Sequence, residues 1–438
     1  MKRLLKKLIP DTHPVRIIYH RSRNILTAFF EGFPAQRLIV TCITGTDGKT
    51  TTVAMLSHIL HSCGKKTGAV STAFFELNGV REPNPTQKTS VDARTLQRFL
   101  RRISDAGCTH AIVEASSHGL VQGRLLGITP TVTAITNVSM EHLDYHGTMD
   151  QYIAAKGIIF RAMKGLGTKV LNADDRTFAA FSGIPSRHTI SYSPGRQLSS
   201  VKGDQKGCSA VVTIDGQPMP VFIPIPGIHN LENALCAVSC AQALGIEPRQ
   251  SIAALESFAG AGGRMELIDA GQPFKVFIDF TVTPAAYEQT LRSAREICGD
   301  NGRLLVLTGS CGDRMKEKRP LVGELCGRMA DVTIVTNEDP YTEDPEKIID
   351  EVLGGVSKDI PHFTGIESAP NSDNQPSKFC VRISERLEAI RYILSLAKSG
   401  DVVLLCGKGA DVTMMTKNGQ IPWVEREIAR EELRSIRL

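Results

Sequence analysis

A chain of 438 residues, 42% hydrophobic and 22% charged, is long enough for two or three domains with ordinary cores, which excludes a lone small module. Its formal charge of +5 comes with no basic stretch interleaved with aromatics, so nucleic acid is not an expected partner, and no apolar run is long enough to span a bilayer. Eleven cysteines are scattered without a CxxC pair, which argues against a zinc ribbon or disulfide framework and for reduced, mostly buried thiols in a cytoplasmic protein.

Residues 1–37 form a short basic segment carrying Lys2, Arg3, Lys6, Lys7, Arg16, Arg21 and Arg23. Pro10 and Asp11 end its first apolar run too early for a signal peptide. Ile18, Ile25, Leu26, Phe29 and Phe30 then fall near helical spacing, with Arg21, Arg23 and Asn24 on another face. Two readings fit: a helix packed on the domain that follows, or an amphipathic segment resting on an anionic membrane surface.

From residue 38 the β-branched runs RLIVTCIT, THAIVEA and TVTAITNV alternate with helix-like stretches such as TTVAMLSHILHSCG. All-apolar strands separated by helices predict a mostly parallel sheet covered on both faces, so 38–260 reads as an α/β domain of P-loop type. The polar stretch 191–208 reads as a loop or hairpin excursion, and IPIPGIHNLENALCAVSCAQALG leads through a loop into a strong helix. GAGGR at 260–264 reads as a hinge or linker. The runs KVFIDF, RLLVLTG, DVTIVTN and DVVLLCG then predict a C-terminal Rossmann-like α/β domain over 261–438, with a polar stretch, SAPNSDNQPSK, near residue 370. Open α/β sheets bind ligands at the carboxyl ends of their strands, which predicts a cleft between the two domains.

TGTDGKTTT at 44–52 follows an apolar strand and opens a helix. Its glycines let backbone N–H groups face phosphate oxygens, Lys49 supplies a cation, and the Thr50 hydroxyl suits magnesium. The strict Walker spacing would require glycine at Ile43, so the loop is a variant. EASSHGL at 114–120 places Glu114 just past a strand, where a metal ligand could reach the phosphates. TNVSMEHLDYHGTMDQYIAAK brings His142, His146 and Lys156. Taken singly, these read as ordinary loop histidines and a surface lysine.

In this order the three strings resemble the Mur ligase family, and within it the MurE-like branch of UDP-N-acetylmuramoyl-dipeptide:amino-acid ligases. The likeness continues through GIHNLENAL at 227–235, GGRMEL at 262–267, DFTVTP at 279–284, GSCGDRMKEKRP at 309–320, TNEDPYTEDP at 336–345 and GKGAD at 407–411. It implies an ATP- and magnesium-dependent ligase of peptidoglycan synthesis, and so of cell shape and division. Such an enzyme activates the carboxylate of a muramyl-peptide-type donor as an acyl phosphate and passes it to an amino-acid acceptor. A cytoplasmic monomer is expected.

The resemblance also implies residue roles. Gly45, Thr46, Gly48, Lys49, Thr50 and Thr51 would line the ATP phosphates, with Arg264 beside them, Asn230 and Asn233 on the adenine side, and Asp279 on the ribose. Thr50, Glu114, His142 and Lys156 would form the metal site, Lys156 as a carbamate made with carbon dioxide. Lys49, His142, Lys156 and Arg264 are the implied catalytic set. Thr89, Ser90, Ser116, Ser117 and Arg124 would contact the donor, and Asp339, Pro340, Tyr341, Gly407 and Asp411 the acceptor.

The pattern departs from the family at four places. Val282 stands where a DYAHTP-like string has histidine, and GKGAD replaces GKGHE, leaving Asp411 as a shorter carboxylate. Diaminopimelate-adding members carry DNPR, whose arginine can pair with a distal carboxylate; here Glu338, Asp339, Pro340 and Tyr341 align, so an acceptor without a distal anion is favoured, and Glu338 and Asp339 would suit a cationic side chain such as that of lysine. The family's uridine-nucleotide domain does not fit into the roughly forty residues before Gly45, so uridine diphosphate is expected to add little to donor affinity, and on a membrane the donor would be lipid-linked. Competing readings are a folylpolyglutamate-synthase-like ligase, a lipid-II-amidating subunit, which would carry a four-cysteine ribbon, and a nucleotide-binding module that has lost catalysis.

Overall fold

The computed structural model describes residues 13–86, 88–299, 302–371 and 375–435. Lys2, Arg3, Lys6 and Lys7, and part of the polar stretch near 370, lie outside the described residues. The chain divides into two compact units, one of 1–202, 209–224 and 230–259, the other of 203–208, 225–229 and 260–438. Residues 13–37, set apart in the sequence reading, thus belong with the first unit, and two short pieces after residue 202 belong with the second.

The first unit is built on an eight-stranded sheet of β1 (Ile39–Thr44), β2 (Thr67–Val70), β3 (Phe74–Leu77), β4 (Val80–Pro83), β5 (His110–Glu114), β6 (Val132–Ile135), β7 (Thr168–Asn172) and β8 (His188–Tyr192), in the order 4-3-2-5-1-6-7-8. At one edge β3 pairs antiparallel with both β2 and β4, and the remaining neighbours pair in parallel. β1 is central: Thr41 pairs with Ile112 of β5 on one side and Val132 of β6 on the other. Strands buried on both faces need apolar residues at every position, which explains the unbroken hydrophobic runs. The helix Lys49–Ser62 is covered almost all round, with Val53, Met55, Leu56, Ile59 and Leu60 at 0% exposure. Each such side chain contributes roughly 1.5–3 kcal/mol through removal from water, and together they fix the helix beneath the strand ends. Of the two readings of 191–208, loop or hairpin, the hairpin is the one formed. It enters a three-stranded sheet of β9 (Leu198–Asp204), β10 (Gly207–Ile214) and β11 (Gln217–Ile223), whose alternating burial is the signature of a half-covered sheet.

The second unit carries seven strands, β12 (Glu266–Ile268), β13 (Lys275–Asp279), β14 (Leu304–Thr308), β15 (Val332–Val335), β16 (His362–Thr364), β17 (Phe379–Arg382) and β18 (Val402–Cys406), in the order 12-13-18-14-15-17-16 and parallel except for β12. A hairpin of β19 (Thr413–Thr416) and β20 (Gly419–Pro422) follows. GAGGR opens the longest piece of the second unit, and Gly263 sits so close to residues 409 and 410 that a Cβ there would meet the Ala410 nitrogen at 2.0 Å. The end of β18 is held by the buried guanidinium of Arg386, which donates to the Cys406 carbonyl at 2.7 Å and to both Glu425 oxygens at 2.6 and 2.7 Å. Glu425 also accepts from the Trp423 indole at 2.9 Å. A buried pair joined by two hydrogen bonds and further held by Trp423 and Cys406 is tolerable, whereas removing one partner would strand a charge.

Candidate active site

The P-loop leaves β1 at the point where the sheet order reverses, so its N–H groups and the following helix N-terminus open at the carboxyl edge of the sheet. Gly45 has φ of +147° and Gly48 φ of +80°, conformations that L side chains disfavour. Space demands glycine too. A Cβ on Gly45 would lie 1.8 Å from Thr136 Oγ1, and one on Gly48 2.1 Å from Asn233 Oδ1. Asn233 therefore rests on the loop, and its amide donates to Asn230 Oδ1 at 3.1 Å, which brings the two expected adenine-side asparagines together. The Lys49 ammonium curls back to the Thr46 carbonyl at 2.6 Å, and Thr51 is buried in the same turn.

Glu114, 1% exposed at the end of β5, organises one flank. It accepts from the Thr50 hydroxyl at 3.0 Å, and from the Thr72 N–H and hydroxyl at 2.8 and 2.9 Å. Thr72, which sequence reasoning missed, also meets the Thr89 hydroxyl, Oγ1 to Oγ1, at 3.0 Å. A buried carboxylate and a hydroxyl in contact at the helix N-terminus are hard oxygen donors, so Thr50 and Glu114 fit a magnesium ion. The expected donor residues Ser90, Ser116 and Arg124 are joined: Ser90 Oγ accepts from the Ser116 N–H at 2.8 Å, and Arg124 donates to the Ser90 carbonyl at 2.5 Å.

Lys156 and His142 occupy the other flank. Lys156, 1% exposed, donates to the Gly45 carbonyl at 2.6 Å and lies 4.3 Å from the centre of the Tyr152 ring. Burial, and then the Lys49 charge, hold its ammonium well below the usual lysine range. Tyr152 Oη in turn meets Thr46 Oγ1 at 3.1 Å. His142, at φ +59°, faces His118 with ring centres 4.6 Å apart, and His146 meets Ser117 Oγ at 2.9 Å. Burial, and then Lys156, push His146 down to about 4, so it is a neutral imidazole. The surface-lysine and loop-histidine readings thus fail for Lys156 and His146, both of which are buried.

In the second unit Asp279 is buried and accepts from the Met265 N–H at 2.7 Å and from the Thr281 hydroxyl. Arg264 donates to the Phe280 carbonyl at 2.7 Å and lies over the Phe280 ring at 4.6 Å. Val282 is half-buried, and Thr283 caps the helix Pro284–Cys298.

The acceptor strings meet around a cation that was not foreseen. Lys408, with no exposed surface, pairs with both oxygens of Asp339 at 2.9 Å and with Asp411 at 3.5 Å. Glu338 is buried beneath Gly407, whose Cβ would lie 2.2 Å from its carboxylate, and it accepts from the Cys311 thiol at 3.0 Å. Burial raises Glu338 above the usual carboxylate range, and burial with the Asp339 charge raises Asp411 to about 7 despite Lys408. The expectation that Glu338 and Asp339 greet a cationic acceptor is corrected: one is sealed under backbone and the other is neutralised by Lys408. Tyr341, at φ +51°, stacks under the exposed Arg314 at 5.0 Å, next to Pro340, whose carbonyl would lie 1.9 Å from a Cβ on Gly312. Nothing in single-residue chemistry signals Lys408 or Arg314, although both stand inside quoted motifs.

Comparison with known proteins matches residues 43–241 to the Mur ligase middle domain and 263–409 to the Mur ligase glutamate ligase domain. The UDP-N-acetylmuramyl-tripeptide synthetase of Roseiflexus sp. (strain RS-1) is 34% identical over 426 residues, covering 93% of this chain and 81% of that protein. The chain belongs to the Mur ligase family. This Mur ligase is also 34% identical to the UDP-N-acetylmuramoyl-L-alanyl-D-glutamate--2,6-diaminopimelate ligase of Corynebacterium efficiens, over 97% of the chain and 80% of that protein. A solved structure of a ligase of the same name superposes with a TM-score of 0.61 at 25% identity, covering 96% and 83% of the two chains. Folylpolyglutamate synthase of Mycobacterium tuberculosis superposes at 0.67 with 16% identity, covering 88% and 92%, a likeness of fold alone. Family membership makes the protein an ATP- and magnesium-using, ADP-forming acid–amino-acid ligase of peptidoglycan synthesis. Among the described residues, no helix is long and apolar enough to cross a membrane.

Proposed function

We propose that this Mur ligase extends a muramyl dipeptide by one amino acid that carries a single carboxylate. The observation that carries the ligase chemistry is the buried contact of Thr50 with Glu114 beneath the P-loop, next to the folded-back Lys49. A donor carboxylate oxygen bonds to the γ-phosphorus as the bond to the β-bridging oxygen breaks, giving ADP and an acyl phosphate. The acceptor amine then adds to the acyl carbon, and the tetrahedral intermediate expels phosphate while the amine loses its proton. Lys49 and the N–H groups of the loop hold the transferring charge, and Arg264 and Asp279 keep the nucleotide roles implied by the family. Thr50 and Glu114 would hold magnesium, which would supply charge neutralisation at the ATP phosphates.

Lys156 is proposed to work as a carbamate. Burial and Lys49 favour its neutral amine, the form that adds to carbon dioxide with release of one proton. The resulting carboxylate would relieve the repulsion between two neighbouring ammonium groups. On the acceptor side, Arg314 is the cation beside Tyr341 and suits one carboxylate, while Asp411 suits the amine. ADP formation with muramyl dipeptide or folate as donor, and a panel of amino acids as acceptor, tests the reading. Turnover with folate, or a strong preference for diaminopimelate, would overturn it. Lys49→Ala should abolish ATP turnover while leaving the circular dichroism spectrum unchanged.

A further inference from the structure

The helix Pro14–Phe30 is seated on the first unit by its small and polar side. Ala28 is fully buried against Gly127, where an added Cβ would come within 2.7 Å of it, and the Asn24 amide donates to the Gln122 carbonyl at 3.0 Å. Just past the helix, Glu31 pairs with Arg98 and Arg101, each at 3.2 Å. This reverses the packing expected of an amphipathic helix, because its large apolar side chains face outward. Val15, Ile18, Tyr19, Leu26, Phe29 and Phe30 are 62, 63, 61, 53, 63 and 77% exposed. On a helical wheel these six fall within an arc of about 120°. Arg16 and Arg23 border one edge of that arc; beyond the other come Ile25, 38% exposed, and then Arg21, and Ser22 lies inside it.

Single exposed apolar residues are ordinary, but a contiguous stripe ending in two phenylalanines marks a contact surface. Charge selects the occupant. Residues 1–30 hold seven Lys or Arg and one Asp, a formal +6, against +5 for the whole chain. A second copy docking through the same face would bring two such segments together, whereas an anionic surface complements them. We propose that this helix lies in the interface of an anionic bilayer, its stripe at the headgroup–acyl boundary and its arginines among the headgroups, with the first unit suspended from Asn24 and Ala28. The inference does not depend on which donor or acceptor is used.

Sedimentation of the full chain with vesicles tests it. Binding is expected to phosphatidylglycerol-containing vesicles at low salt, and to be at least about tenfold weaker with phosphatidylcholine alone or in raised salt. Replacing Leu26, Phe29 and Phe30 together by serine should weaken binding by a similar factor, with ADP-forming turnover in solution unchanged. Arg16→Glu with Arg21→Glu and Arg23→Glu should do the same through charge, which keeps the test decisive if the serine variant misfolds. No binding to anionic vesicles at low salt would overturn the proposal. So would a dimer in solution that the serine variant converts to monomer, since the stripe would then be a self-association face.

Discussion

A lysine ammonium with 1% of its surface exposed, and with a second lysine near enough to lower its proton affinity, is unfavourable unless the amine is used in another form. The folded protein holds the Lys156 proton less tightly than the unfolded chain, so this residue makes stability rise with pH up to the ordinary lysine range. Lys156→Met, which keeps the methylenes, should therefore raise the thermal midpoint near neutral pH while reducing turnover at least about a hundredfold. A short-chain carboxylate should restore part of the activity of Lys156→Ala, and full activity without it would remove the carbamate. Asp411 works in the opposite direction. Its folded pKa is raised to about 7, so folding favours its protonated form and stability falls as pH climbs from the ordinary aspartate range towards that value. Ionisation also creates the carboxylate proposed for the acceptor amine. The acceptor KM should fall roughly fivefold between about pH 6 and pH 8 in the parent enzyme, and Asp411→Asn should flatten that profile.

At the scale of elements, the P-loop makes two separate demands on Gly48, a left-handed backbone and an absent side chain against Asn233. Gly48→Ala should cost about 1–3 kcal/mol in urea unfolding, with nucleotide affinity reduced more than tenfold in a titration with ATP. Strand, loop and helix here were readable in advance because the signals are local: an apolar run, two glycines and a helical period within fifteen residues. The Thr72 contact with Glu114 was not, since it joins two strand ends 42 residues apart and threonine carries no periodic mark. Lys408 was passed over because a lysine in a glycine-rich string reads as solvated until its carboxylates converge from separate loops. The N-terminal helix shows a different limit. Periodicity set the large apolar residues apart from Asn24 but wrongly grouped exposed Arg23 with it, and it cannot say which face a neighbour covers; Gly127 selects Ala28 by leaving room for a methyl group.

For the whole molecule, the division into two units has a consequence that can be seen optically. The chain has one tryptophan, and Trp423 belongs to the second unit, its indole fixed by Glu425 and, through that carboxylate, by buried Arg386. Intrinsic tryptophan emission is therefore a private signal of one half of the protein, silent about the half that carries the P-loop. Far-ultraviolet circular dichroism sees both. In a urea series, Gly48→Ala should shift the early part of the dichroism transition while leaving the emission midpoint where it is in the parent chain. If the two midpoints instead move together, the units unfold as one cooperative body, and a lesion at the P-loop is felt at the indole.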